Sequence, residues 1–281
     1  MTIDAHVHVW NLGRGGYEWP DASVPALHRD LGVADLAPTL DRLGVDGVVL
    51  VQAADTVIDT ENMLDEAADP RVRGVVAWAD LGDAPDAFAA DLARLRARPK
   101  VVGLRNLTHV KDDPHWVRGP RQRENIAQLV AAGLPLDMVT SSHVGLAEVV
   151  DTLEHVPDVR VVLDHLGKPP IGGSAMARRE WRAALADIAS DGRTTAKLSG
   201  LSSAVGPLDA WTPTQVAPFV QDALELFGPA RLMYGGDWPV VLLAGGYERA
   251  WDAITGAVAS LDPVERNEIL DGTARRVYGL D

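Results

Sequence analysis

Two histidines stand one residue apart near the start of the chain, in Met1-Thr2-Ile3-Asp4-Ala5-His6-Val7-His8-Val9-Trp10. Thr2 to Val9 is predicted as a short strand, and strand side chains alternate faces, so the two imidazoles point the same way. Converging there, they either grip a metal ion or polarise one oxygen of a substrate, and neutral imidazole does both near neutral pH. An isolated His-x-His also fits two histidines hydrogen-bonded in a core or on a surface strand. The rest of the chain decides between these uses.

Groups of similar chemistry recur at the ends of later predicted strands. Arg105 ends one, with His109 four residues on; Asp164-His165 and Lys168 follow another. Lys197-Leu198-Ser199-Gly200 and Tyr234-Gly235-Gly236-Asp237-Trp238-Pro239 complete the set. Buried charges and imidazoles are costly unless paired, so their concentration at strand ends points to one functional mouth rather than to packing. Singly, each has a structural role open to it: Lys197 can snorkel, Asp164 can cap a helix and Asp237 can brace the turn before Pro239.

The elements that must carry these residues alternate. After the first strand comes an irregular stretch, Asn11 to Gly32, rich in glycine and proline and carrying Tyr17 and Trp19 beside Trp10. It reads either as a wall over a site or as a flap packing its own rings. Further strands are predicted at Gly47–Gln52, Arg73–Ala79, Val101–Arg105, Leu134–Val139, Val159–Asp164, Thr194–Leu198 and Arg231–Gly235. Helices are predicted at Ala34–Leu43, Asp59–Ala68, Asp83–Arg96, Arg121–Ala132, Val144–Val156, Ala175–Ala189, Thr214–Leu226 and Tyr247–Ser260. A last helix opens at Asp262-Pro263-Val264-Glu265, an N-cap with proline at the first turn and the matching acid. Counted together, eight strands each precede a helix. Their continuous apolar runs suit strands covered on both faces. The expectation is a closed (β/α)8 TIM barrel, a single α/β domain over residues 1–281 with long loops after the strands. A doubly wound open sheet shares this spacing, but no Gly-x-Gly-x-x-Gly follows the first strand.

Composition narrows the function classes. A chain of 281 residues suits one barrel, which commonly takes about 250. No apolar run approaches the ~18 to 20 residues of a membrane span, and no basic segment followed by an apolar run opens the chain. The absence of cysteine excludes disulfides, Cys-ligated zinc and a Cys nucleophile, and there is no Gly-x-Ser-x-Gly elbow. A cytoplasmic protein is expected. The net charge of −14 repels phosphate backbones and anionic membranes, so neither is expected as a partner. An anionic ligand would need locally placed Arg, Lys or His.

Five segments together resemble the amidohydrolase superfamily, in the branch of sugar-lactone and dicarboxylate-lactone hydrolases. They are Ile3-Asp4-Ala5-His6-Val7-His8-Val9-Trp10, Gly103-Leu104-Arg105, Leu163-Asp164-His165-Leu166-Gly167-Lys168-Pro169, Lys197-Leu198-Ser199-Gly200-Leu201 and Gly235-Gly236-Asp237-Trp238-Pro239-Val240. The resemblance implies that His6 and His8 are the strand-one pair, His165 the strand-six histidine and Asp237 the strand-eight aspartate that activates water. The chain departs from the family at two places. Strand five, Asp137-Met138-Val139-Thr140, lacks the histidine common there, and His143 lies in the loop beyond. Strand four carries Arg105 where many members have lysine, and a guanidinium cannot be carboxylated to bridge two metals. A binuclear centre is therefore not expected. His6, His8 and Asp237 would hold a single divalent metal, zinc first, although lactone hydrolases of this branch also work with no metal required.

The activity so implied is opening of the lactone ring of a sugar acid or related polar carboxylic acid. Asp237 would take a proton from the attacking water, with His6, His8 and His165, or one bound metal, stabilising the oxyanion. Arg105, His109 and Lys197 are expected to grip a carboxylate or hydroxyls, and Trp10, Trp19 and Trp238 to give flat apolar contact to a ring. The alternative is a zinc-dependent decarboxylase of a neighbouring branch, which the missing strand-five histidine disfavours unless His143 reaches back. A barrel that only binds a sugar acid would have lost Asp237 or a strand-one histidine, and neither is lost. The partner expected is a small polar or anionic lactone, with a homodimer left open.

Overall fold

The computed structural model describes the whole chain except residues 143–144 and 205–209, so His143 lies outside the described residues. Eight strands form one sheet in sequence order, every neighbouring pair parallel. They are β1 (Ile3–Val7), β2 (Gly47–Val51), β3 (Val72–Ala77), β4 (Val101–Asn106), β5 (Leu136–Met138), β6 (Val161–Leu163), β7 (Thr194–Leu198) and β8 (Leu232–Tyr234). The helices between them are α1 (Val33–Leu43), α2 (Val57–Glu66), α3 (Pro85–Arg96), α4 (Pro120–Ala131), α5 (Leu146–His155), α6 (Ala175–Ala189) and α7 (Pro213–Phe227), with α8 (Tyr247–Ala257) after β8. The ring closes where the chain beyond β8 meets β1: Asp237 N donates to His6 O at 2.9 Å and His8 N to Trp238 O at 2.7 Å. This is the expected (β/α)8 barrel. No helix among the described residues is long and apolar enough to cross a membrane.

Three strands, β5, β6 and β8, are shorter than their apolar runs suggest. After β6 and β8 the chain leaves the ladder early because its next residues turn toward the mouth. After β6, His165 and Leu166 adopt φ of 54° and 51°, and after β8 Asp237 adopts 55°, left-handed conformations that non-glycine residues rarely take. The last predicted helix is three pieces: α9 (Pro263–Asn267), a π turn (Glu268–Gly272) and α10 (Thr273–Tyr278). Asp262 caps α9 as expected, accepting from Val264 N and Glu265 N. Ala274, Tyr278 and Leu280 then pack against Ile3, Ala5, Val49, Val76 and Met233, sealing the lower end of the barrel.

Strand β1 does not alternate simply. Its pairing with β2 slips between Asp4 and Val7, and the bulge turns both Ala5 and His6 inward: Ala5 into the lower core, His6 among the charges above it. A β-bulge re-aims side chains in this way. The Asp4 carboxylate holds it, accepting from His6 N at 2.9 Å and Gly236 N at 2.8 Å, and from Tyr247 OH at 2.7 Å. The cost of burying that carboxyl pushes its pKa up to about 6, against those hydrogen bonds.

Candidate active site

One layer above the apolar core lies a set of buried ion pairs. Lys197 of β7 is fully buried, its Nζ 2.6 Å from Asp137 Oδ2, 3.1 Å from Asp164 Oδ1 and 3.2 Å from His6 Nδ1. Asp137 of β5 also accepts from Tyr278 OH at 2.7 Å. Arg105 of β4 donates to Asp164 Oδ2 at 2.7 Å and to Gln52 Oε1 at 3.3 Å, and its remaining arm reaches the Gln52 carbonyl. Burial raises the Asp137 carboxyl to about 6 despite Lys197. Burial acts on Asp164 as well, but Lys197, His6 and Arg105 outweigh it and hold that carboxyl well below the usual range.

Lys197 is thus not the substrate-gripping residue expected from the sequence. It lies within β7 rather than past its end, which sets it below the mouth, and its ammonium is engaged by two carboxylates.

Above this layer the imidazoles meet Asp237. His6 Nε2 and His8 Nε2 are 3.1 Å apart, and Asp237 Oδ1 lies 3.8 Å from the first and 3.6 Å from the second. The His165 ring centroid is 4.6 Å from that of His6, and its Nδ1 is 2.9 Å from Ser199 Oγ. Gly200 permits this approach: at φ +59°, a Cβ there would lie 2.6 Å from His165 Nδ1 and 2.9 Å from Asp237 Oδ2. Burial holds His6 and His165 well below the usual histidine value, against the pull of Asp164 on the first and Asp237 on the second. For Asp237 burial works upward, but His165, His8 and Lys168 outweigh it and keep the carboxyl below its ordinary value. At neutral pH the Asp237 carboxylate thus faces the neutral rings of His6 and His165.

This donor set fits one divalent cation. His8 Nδ1 sits 2.7 Å from the Val51 carbonyl, which can only accept, so Nδ1 carries the hydrogen and Nε2 presents a lone pair. His6 Nδ1 lies 3.2 Å from Asp164 Oδ1 and 3.2 Å from Lys197 Nζ, so it donates to the carboxylate or accepts from the ammonium according to its tautomer. An imidazole that binds metal through Nε2 donates its other N–H to such a carbonyl or carboxylate. Ligand atoms around a four-coordinate zinc stand about 3.3 Å apart, close to the 3.1–3.8 Å separations of His6, His8 and Asp237. His6, His165 and Asp237 form a looser group, within 4.8 Å.

A cavity of about 710 Å³ opens over this centre. His8, His165 and Asp237 reach it from below, and Arg105, His109 and Lys168 border it. Trp10 and Trp19 line it too, edge to face with centroids 5.8 Å apart. Trp10 Nε1 donates to Arg29 O at 2.9 Å, tying the Asn11–Gly32 stretch down as a wall of the cavity rather than a detached flap. His109 is pushed down to about 4 by burial, with Arg105 and Lys168 adding to it. Trp238, expected here, is absent from the lining. It borders a separate cleft with Arg29, Leu36 and Tyr247, because the turn that sends Asp237 inward sends the next side chain the other way. Lys168 was not assigned a role from sequence. In sequence it is one more charged group after a strand end, in a turn whose left-handed course the sequence does not announce.

The profile of the amidohydrolase family matches residues 3–280. An L-fucono-1,5-lactonase of Burkholderia ambifaria is 37% identical, the alignment covering 100% of this chain and 96% of the relative. An L-fucono-1,5-lactonase of Burkholderia multivorans is 32% identical over 100% and 96%. The crystal structure of an amidohydrolase from Burkholderia multivorans with bound zinc superposes with a TM-score of 0.91 at 30% identity, covering all of both chains. By its profile, its relatives and its barrel, this chain belongs to the amidohydrolase family.

Proposed function

We propose that the protein opens the lactone ring of a sugar acid by hydrolysis. The observation that carries the reading is the convergence of Asp237 with His6, His8 and His165 beneath a cavity walled by tryptophan. The curated relatives, named for a sugar lactone, support the same chemistry.

Asp237, ionised at neutral pH, takes a proton from water as the water oxygen attacks the ring carbonyl carbon, and passes it to the ring oxygen as the C–O bond breaks. His165 Nδ1 shares a hydrogen bond with the Ser199 hydroxyl, and with that hydroxyl as donor His165 Nε2–H is a neutral donor toward the developing oxyanion. Arg105 keeps Asp164 ionised, so His6 stays oriented by a carboxylate. His109, neutral at pH 7, bonds hydroxyls, while Trp10 and Trp19 cover the ring face. His6, His8 and Asp237 would hold a divalent metal; zinc there supplies a more acidic water and a polarised carbonyl.

A zinc-dependent decarboxylase is less well supported. Strand β5 carries no histidine, and its one acid, Asp137, is engaged by Lys197 and Tyr278. The deciding experiment is proton release from a panel of sugar lactones, before and after chelation and after zinc is restored. Turnover in any of these states upholds the reading. No turnover in all three, with stoichiometric zinc bound in the last, overturns it.

A further inference from the structure

Hydrolysis converts an uncharged lactone into a carboxylate, so negative charge grows beside Asp237, which is itself negative. Something must offset it. Of the two permanent cations among the described residues bordering the cavity, Arg105 is engaged by Asp164 and Gln52. Lys168 is different: among the described residues its ammonium has no hydrogen bond or ion pair. It is close enough for its charge to act on His165, Asp237 and His109 alike.

The backbone fixes it there. His165, Leu166, Gly167 and Lys168 run consecutively at φ of 54°, 51°, 67° and 56°. Such a run persists only where the surroundings over-determine it. Here Trp181 Nε1 donates to Leu166 O at 2.8 Å, Lys168 N donates to His165 O at 3.0 Å, and a Cβ on Gly167 would lie 2.2 Å from Leu146 Cδ2. One constrained turn therefore presents both His165 and Lys168 to the cavity.

We infer that the Lys168 ammonium receives the negative charge that ring opening creates, first on the oxyanion and then on the product carboxylate, and so selects uncharged sugar lactones over lactones already bearing carboxylates. The inference rests on the lactonase reading. Water oxygen bonds to the carbonyl carbon and the ring C–O bond breaks. One water proton ends on the ring oxygen as a hydroxyl, and the other leaves the new carboxylic acid for solvent. The single anion formed meets the one uncompensated cation among the described residues of the wall. A dicarboxylate lactone brings two further charges to a wall with no second free cation among the described residues.

The test compares wild type, Lys168→Met and Lys168→Arg on L-fucono-1,5-lactone and on 2-pyrone-4,6-dicarboxylate, with inhibition by the ring-opened hydroxy acid and by the corresponding uncharged polyol. In Lys168→Met, binding of the hydroxy acid should weaken about 10- to 100-fold, with a fall in kcat. Polyol inhibition should stay within about twofold, because a hydroxyl without charge gains little from an ammonium. Lys168→Arg should fall between. Met at position 168 meets the same left-handed backbone as Lys, and unchanged melting checks the fold. Equal hydroxy-acid binding in wild type and Lys168→Met, or faster turnover of the dicarboxylate by wild type, overturns the inference. If wild type opens no lactone, the lactonase reading fails instead, and calorimetric binding of the hydroxy acid still decides the role of Lys168.

Discussion

In the lower half of the barrel Ile3, Val49, Val76, Val162 and Met233 close on one another and on Tyr278. Half a strand higher, β1, β4, β5 and β7 deliver His6, Arg105, Asp137 and Lys197 into an equally buried layer. The lower half is held by apolar burial, which needs no particular partner and contributes about 25 cal/mol per Å². In the upper half each charge depends on a named neighbour, because an unpaired ion there would cost several kcal/mol. Tyr278 joins the two, packing its ring below and donating to Asp137 above. The barrel thus separates the work of staying folded from the work of holding a charged centre in register.

That contrast is open to attack by mutation. Lys197→Met leaves Asp137 and Asp164 without their shared cation and should lower stability by about 3–5 kcal/mol in urea titrations. Adding Asp137→Asn should recover part of the loss. Val49→Ala in the lower half should cost about 2 kcal/mol, with no partner substitution that restores it. A Lys197→Met loss no larger than that of Val49→Ala would erase the distinction.

Asp164→Asn probes the link between the layers, because Asp164 Oδ1 is the acceptor facing His6 Nδ1. Zinc affinity, measured by competition with a chelator, should fall about 10- to 100-fold. Unchanged affinity would mean that His6 needs no carboxylate behind it.

The last effect is a pH slope. Asp59 at the start of α2 is raised to about 6 by burial, against hydrogen bonds from Ala53 N and Ala54 N. A carboxyl raised on folding favours the folded state while protonated, so its contribution is present below the unfolded value of about 3.9 and is lost as pH rises through about 6. Wild-type stability relative to Asp59→Asn should therefore decline between pH 4 and 6, by up to about 3 kcal/mol, and level off above. A difference that stays flat or rises over that range contradicts the assignment.

The sequence makes the barrel readable because apolar runs and capping residues are local signals: Asp262-Pro263 and the Gly47–Val51 run need no tertiary information. It also brings His6, His8, His165 and Asp237 forward, since chemically costly residues at strand ends are conspicuous. Depth within the barrel is less legible. Lys197 and Lys168 are equally polar on the page, yet one is sealed beneath the centre and the other borders the cavity, a difference set by the end of β7 and by the left-handed turn after β6. The bulge in β1 is equally silent, because it arises from pairing with β2 and from Asp4 reaching Gly236 and Tyr247, both more than two hundred residues away.

The central claim is that Asp237 moves the proton in lactone opening, and it is tested most directly by single-turnover hydrolysis of L-fucono-1,5-lactone by wild type and Asp237→Asn. Asn keeps the size of the side chain but cannot take the proton, so the rate should fall about 10²- to 10⁴-fold, with melting temperature and lactone binding nearly unchanged. A rate within about tenfold of wild type, too small a loss for a general base, would show that another group accepts the proton and would contradict the account.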